Sequence, residues 1–218
     1  MTEIESISID DNFFQLTKTE SGKVIVFVNT PKFTLVPSEY YCKEMRDQYF
    51  DFMHLDHSCD VLIENKLPKW NYYILFSLNQ NFKTTVEKHY PAAEFYHYAT
   101  AIASRYTEET ISASDLVIIN KRNENLYLLI SKNNEIVLLN LHLVKSDADL
   151  IYFILNGLRK NNINLKSTRL YYSGDIKTED NSIRLLKKYL VNINPLPLYQ
   201  TDGNKTSLFE YFRFNPTE

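Results

Sequence analysis

A chain of 218 residues is long enough to bury one large core or two smaller ones, and its 44% hydrophobic and 14% aromatic composition excludes a disordered polypeptide. A net charge of -3 with acids and bases interspersed argues against a generic grip on nucleic-acid phosphates or an anionic membrane surface. The opening "MTEIESISIDD" is acidic and alternating, unlike a signal peptide. No apolar run approaches the roughly 20 residues that span a bilayer. A cytoplasmic location is therefore expected, with Cys42 and Cys59 as reduced thiols.

In the first half, "KVIVFVN" (23–29) and "FTLV" (33–36) are expected strands, and residues 38–53 an expected helix. "CDVLIENKLPKW" (59–70) predicts a strand and turn, "YYILFSL" (72–78) a strand, "NFKTTVEKH" (81–89) a helix and "AEFYHY" (93–98) a strand. The polar stretch "TEETISAS" (107–114) marks the boundary, giving domains 1–110 and 111–218.

In the second half, "DLVIIN" (115–120), "LYLLIS" (126–131) and "IVLLNLHLV" (136–144) are apolar runs joined by short polar turns, the pattern of an antiparallel meander. Val137, Leu139, Leu141 and Leu143 are expected on the core face of the third strand, with Asn140 and His142 on the other. A helix follows, capped by Ser146, with Ile151, Ile154, Leu155 and Leu158 as its apolar stripe. "RLYYSGDI" (169–176) predicts a strand and then a helix capped near Thr178, with Ile183, Leu186 and Leu190 buried. "VNINPLPL" (191–198) suits an edge strand, since Pro195 and Pro197 lack ladder donors.

The order βββαβαβ predicts a mixed sheet with helices on its faces. The first half echoes that order if Ser38 answers to Ser146 and Ser77 to Ser173. The offsets, 108 and 96, differ by the 12 residues of the extra segment 59–70.

The stretches "FTLVPSEYY" (33–41), "VLLNLHLVKSDADLIYFILNGLR" (137–159) and "RLYYSGDI" together resemble a bacterial domain-of-unknown-function family whose fold is actin-like. The resemblance covers about residues 23–198. It implies an α/β actin-like ATPase fold of two ribonuclease H-like lobes, each with a mixed sheet. Members of that family usually open with an additional strand hairpin, so the resemblance implies that the first lobe here is abbreviated at its N-terminus or begins with a diverged hairpin.

Nucleotide chemistry in such a fold needs backbone that approaches phosphate closely and presents N–H groups, a task suited to glycine turns. The four glycines, Gly22, Gly157, Gly174 and Gly203, are never closer than 17 positions. This excludes the G-x-G-x-x-G fingerprint, the Walker loop and a Gly-Gly turn. Ser173, Gly174 and Asp175, at a strand's carboxyl end, are the vestigial cofactor-site candidates. Lys121 and Arg122 in the first hairpin turn are candidate anion ligands.

The remaining candidates are read as structural. His54, His57 and Cys59 match no zinc spacing. Asp10, Asp11 and Asp115 would have to converge for two-metal chemistry, and His142 reads as an ordinary strand residue. Tyr72, Tyr73, Tyr171 and Tyr172 are expected to pack on strands rather than stack bases. Phe209, Tyr211, Phe212 and Phe214 are expected to dock the C-terminal tail onto the body.

No catalytic residue, metal or cofactor is expected, nor nucleic acid or membrane, and ATP is disfavoured. The expected function is a pseudoenzyme: a non-catalytic scaffold or partner-binding module with an unknown protein partner. The alternative is a divergent ATP-binding enzyme of the same fold.

Overall fold

The structure is a computed structural model that describes residues 4–9, 12–18, 24–54, 60–104 and 115–196. The chain divides into two compact units, Met1–Ser104 and Arg105–Glu218.

Unit 2 holds one five-stranded sheet. Strands β8 (Leu116–Arg122), β9 (Asn125–Lys132) and β10 (Glu135–Leu143) form the antiparallel meander. Strands β11 (Arg169–Gly174) and β12 (Asn192–Pro195) continue it in parallel, in the order β10-β9-β8-β11-β12. Strand β12 is the edge that its proline suits. Helices α4 (Asp147–Lys160) and α5 (Asn181–Leu186) make the two crossovers.

The core gathers Val117 and Ile119 of β8, Leu126, Leu128 and Ile130 of β9 and Leu170 and Tyr172 of β11. Against these pack Leu150, Ile154 and Leu158 of α4 and Ile183, Leu186 and Leu190 in and after α5. Helix α4 starts at a full capping box: the Asp149 N–H donates to Ser146 Oγ (3.2 Å), and the Ser146 N–H donates to the Asp149 carboxylate (3.0 Å). At Gly157 the helix lies so close to the sheet that a β-carbon would stand 3.0 Å from Ile130 Cδ1 and 3.2 Å from Leu138 Cδ2.

Three expectations for unit 2 need correction. The register of β10 shifts between Ile136 and Leu138, leaving Val137 as a bulge. Leu138 then packs on the helix-side core, and His142, four residues on and so on the same face, stacks at 4.2 Å on Phe153 of α4. The face with His142 is therefore the helix face, and Val137 and Leu143, expected in the core, are exposed. The stripe of α4 is centred on Leu150, Ile154 and Leu158, with Ile151 and Leu155 at its margin. Helix α5 begins at Asn181 rather than near Thr178, because the Asp180 carboxylate turns back to accept the Lys177 N–H. The Thr178 hydroxyl instead meets that of Tyr172.

Unit 1 opens with a hairpin, β1 (Ile4–Ile9) and β2 (Asn12–Lys18), which extends through β3 (Val24–Asn29) to β7 (Glu94–His97) in the order β1-β2-β3-β7. A second sheet has the order β4-β6-β5, from β4 (Phe33–Pro37), β5 (Asp60–Leu67) and β6 (Tyr72–Asn79). The helices are α1 (Arg46–Met53), α2 (Gln80–His89) and α3 (Tyr98–Ser104).

The serine correspondence does not extend to strand pairing. Strand β11 lies parallel between β8 and β12, whereas β6 lies antiparallel between β4 and β5. The inserted strand explains part of the difference. Only the short turn Pro68–Trp70 and a left-handed Asn71 (φ 58°) join β5 to β6, and so short a link permits an antiparallel hairpin but no parallel crossover.

Helix α1 also starts eight residues later than expected. Tyr40 and Tyr41 form turns on Pro37 and Ser38, while Tyr41 packs beside Phe50 and stacks at 3.9 Å on Tyr73 of β6. That aromatic anchor keeps the segment out of the helix. The expected strand 93–98 stops at His97 and α3 follows. Residues Tyr98 to Ala103 are all buried, so this helix has no polar face and no helical period to detect.

Candidate functional site

Strands β8 and β11 run parallel and end together, with Ser173 paired to Asn120 and Gly174 to Lys121. The next and last residue of β8, the predicted anion ligand Arg122, leads into a hairpin turn at Asn123 and Glu124. This places the predicted cofactor candidates, Ser173, Gly174 and Asp175, beside the predicted anion ligand Lys121.

What these residues do there is bind one another. Asn120 Nδ2 donates to Ser173 Oγ at 2.8 Å. Gly174 has φ +83°, and a β-carbon on it would lie 2.1 Å from the Lys121 carbonyl oxygen. Its glycine is thus required by a neighbouring strand. The Asp175 N–H donates to that same carbonyl (2.7 Å), and the Asp175 carboxylate accepts the N–H of Asn123 at the hairpin tip (2.7 Å). Lys121 Nζ turns to the Asn123 carbonyl (2.6 Å). An N–H that could have faced a phosphate already faces a carboxylate. One group is left over: Asn120 is buried, and its Oδ1 has no hydrogen-bond partner among the described residues.

The glycine count misses one feature of the backbone. Asn71, Asn123, Asn133, Asn134 and Asn162 all take positive φ, so asparagine supplies left-handed turns in this glycine-poor chain. Asn133 and Asn134 together make the two-residue β9–β10 turn, with φ 50° and 67°, as a type I′ hairpin requires.

The other candidates are scattered. Asp115 stands at the opposite end of β8 and accepts the Asn164 N–H at 3.4 Å. His142 is half-buried against Phe153, and burial pushes its imidazole below the usual histidine range. His54 ends α1 with its Nε2 3.1 Å from the Phe33 carbonyl and its ring 4.6 Å from Phe50. Tyr172 is buried in the unit 2 core. Asp10, Asp11, His57, Cys59 and the aromatic cluster 209–214 lie outside the described residues. Among the described residues, no group of three or more His, Cys, Asp or Glu side chains converges to hold a metal ion. No helix there is long and apolar enough to cross a membrane.

Sequence reasoning missed a buried polar cluster in unit 1. Asn65 of β5 donates through Nδ2 to the Phe95 carbonyl (3.0 Å). Its Oδ1 accepts from the His97 N–H (2.8 Å) and the Thr100 hydroxyl (2.9 Å). One side-chain amide therefore does for β5 and β7 what a backbone peptide does in a ladder, joining the two sheets. His97 accepts the Ala99 N–H at Nδ1 (3.1 Å), so its proton sits on Nε2 and is donated to the Thr30 carbonyl (2.9 Å). Complete burial lowers its pKa to about 4. Its ring nitrogens are committed to backbone, which suits fixing strands better than proton transfer. Asn65 sits in "VLIENKL" with no neighbouring signal that it faces inward.

Comparison with known proteins agrees with this architecture. A crystal structure from Bacteroides thetaiotaomicron VPI-5482, described as a protein with actin-like ATPase fold and unknown function, is similar with a TM-score of 0.75. It is 16% identical over 89% of this chain and 90% of that one. The chain has the actin-like ATPase fold. No curated protein matches it. The profile of a protein family of unknown function, DUF3822, matches residues 9–193, and the chain therefore belongs to that family.

Proposed function

We propose that this chain is a non-catalytic protein of the actin-like fold, a scaffold or partner-binding module working in the cytoplasm. The observation that carries the reading is the Asp175 carboxylate on the Asn123 N–H. A phosphate approaching the β8–β9 turn would meet a negative charge rather than an open donor. The space beside Gly174, at the carboxyl end of β11, is taken by the Lys121 carbonyl. The free thiol of Cys42 suits a reducing compartment. We also read the two units as the two ribonuclease H-like lobes, with unit 2 carrying the simpler strand order.

A second reading, a divergent ATP-binding enzyme, draws on Asn120 Oδ1, whose buried lone pairs a ligand donor would satisfy. Thermal melting with and without millimolar Mg-ATP or Mg-ADP separates the two. A ligand at about 100 times its dissociation constant adds about 2.7 kcal/mol, a shift of several degrees. The scaffold reading expects no saturable shift; a saturable rise overturns it.

A further inference from the structure

Among the described residues, four of the ten large apolar side chains left exposed fall within residues 40–53: Tyr40 (67% exposed), Met45 (41%), Phe52 (87%) and Met53 (61%). The concentration has a geometric cause. Helix α1 is tied to the core through Phe50, which is fully buried against Val36, Leu62 and Leu75. Met45 and Phe52 lie exposed on another face, with Tyr49 half-buried between them and packed against the Phe50 cluster. Tyr49 fixes this face by donating its hydroxyl to the Tyr40 carbonyl (2.6 Å). The result is a ridge of aromatic and thioether side chains, the residue types that dominate recognition surfaces.

We propose that this α1 ridge is the docking surface, and that its occupant is a protein segment whose apolar stripe is flanked by lysine or arginine. The charge around the ridge selects that chemistry. Residues 39–53 carry four carboxylates (Glu39, Glu44, Asp47, Asp51) against two cations, Lys43 and Arg46. A second copy would bring two net-acidic segments together, which like-charge repulsion opposes; a basic-flanked partner is drawn in. The inference rests on the partner-binding reading and supplies its surface.

The test uses the full-length chain and a fluorescein-labelled amphipathic helical peptide of leucine and lysine, followed by anisotropy. A counterpart with glutamate in place of lysine is the control. Saturable binding of the lysine peptide is expected, with the glutamate peptide at least tenfold weaker. The double variant Met45→Ser/Phe52→Ser should weaken binding at least tenfold while its circular dichroism and melting remain those of the parent, because both side chains are exposed. Glu44→Gln/Asp47→Asn should weaken it severalfold at low salt.

The proposal is overturned by no binding, by equal affinity for the two peptides, or by a double variant that binds as the parent does. Phe52-dependent self-association in sedimentation would overturn it in favour of a second copy. Binding that appears only after residues 199–218 are deleted would overturn it in favour of the chain's own tail. A nucleotide-dependent melting shift, by contrast, overturns the non-catalytic reading and leaves the peptide result to stand or fall separately.

Discussion

Asn65 and His97 show how much a single buried polar side chain can govern. Replacing Asn65 by Leu removes the partner of the Phe95 carbonyl, the His97 N–H and the Thr100 hydroxyl at once. Each buried group left unpaired costs about 1–3 kcal/mol, so Asn65→Leu is expected to lower the unfolding free energy by about 3 kcal/mol or more, read from urea denaturation.

His97 sets a pH dependence whose sign follows from linkage. Its pKa is about 4 in the fold against an ordinary value of 6.5, so the unfolded chain binds the proton more readily. Its contribution is fully present above pH 6.5, declines as pH falls, and is gone below about 4. The loss is on the order of 3 kcal/mol. Urea midpoints measured from pH 8 to 4 should fall over that window, and His97→Gln should remove most of the fall. At Gly174, alanine would have to hold a positive φ with its β-carbon against the Lys121 carbonyl. Gly174→Ala is expected to cost about 3 kcal/mol, whereas Asn133→Gly, already left-handed, should stay within about 1 kcal/mol of the parent.

At the scale of the element, α4 is written almost completely in its own sequence. The Ser146/Asp149 capping box, the acidic first turn and Arg159 and Lys160 in the last turn all arise from local chemistry. Its contact with the sheet is a different matter. A methyl at Gly157 would press on the ends of Ile130, Leu138 and Leu128 at 3.0–3.3 Å, while alanine gains roughly 1 kcal/mol of helix propensity over glycine. Gly157→Ala is therefore expected to be close to neutral. Gly157→Val, with two more carbons and a stiff χ1, should lose about 2 kcal/mol. Equilibrium unfolding of the two variants checks the pair, and a Val variant as stable as the parent would mean that α4 is less tightly seated.

For the whole molecule, the chain's single tryptophan is useful. Trp70 is buried in unit 1 and donates its indole N–H to the Ala103 carbonyl at 2.9 Å, so its fluorescence follows unit 1 alone. His97 belongs to the same unit. As pH falls from 7 to 4.5, the fluorescence-detected urea transition is expected to move to lower denaturant than the far-ultraviolet dichroism transition, which reports both units. Coincident transitions at every pH would show that the units unfold as one body.

What the amino-acid order determined by itself is the set of locally encoded features. The unit 2 meander, α4 with its cap, the strand at 169–174 and the absence of glycine-rich phosphate loops all follow from alternation, capping residues and turn chemistry within about ten residues of one another. Tertiary packing alone decided which strands pair, that β10 bulges at Val137 and turns His142 toward α4, that Tyr41 withholds residues 38–42 from α1, and that Asn65 joins two sheets. The candidate site divides the same way. Ser173, Gly174 and Asp175 could be picked out because a strand ends there, yet their commitment to Asn120, Lys121 and Asn123 became visible only in the fold. The physical reason is range: hydrophobic period and capping act along the chain, whereas a lone asparagine, a bulge or a glycine against a neighbouring carbonyl takes its meaning from residues about 30 to 55 positions away.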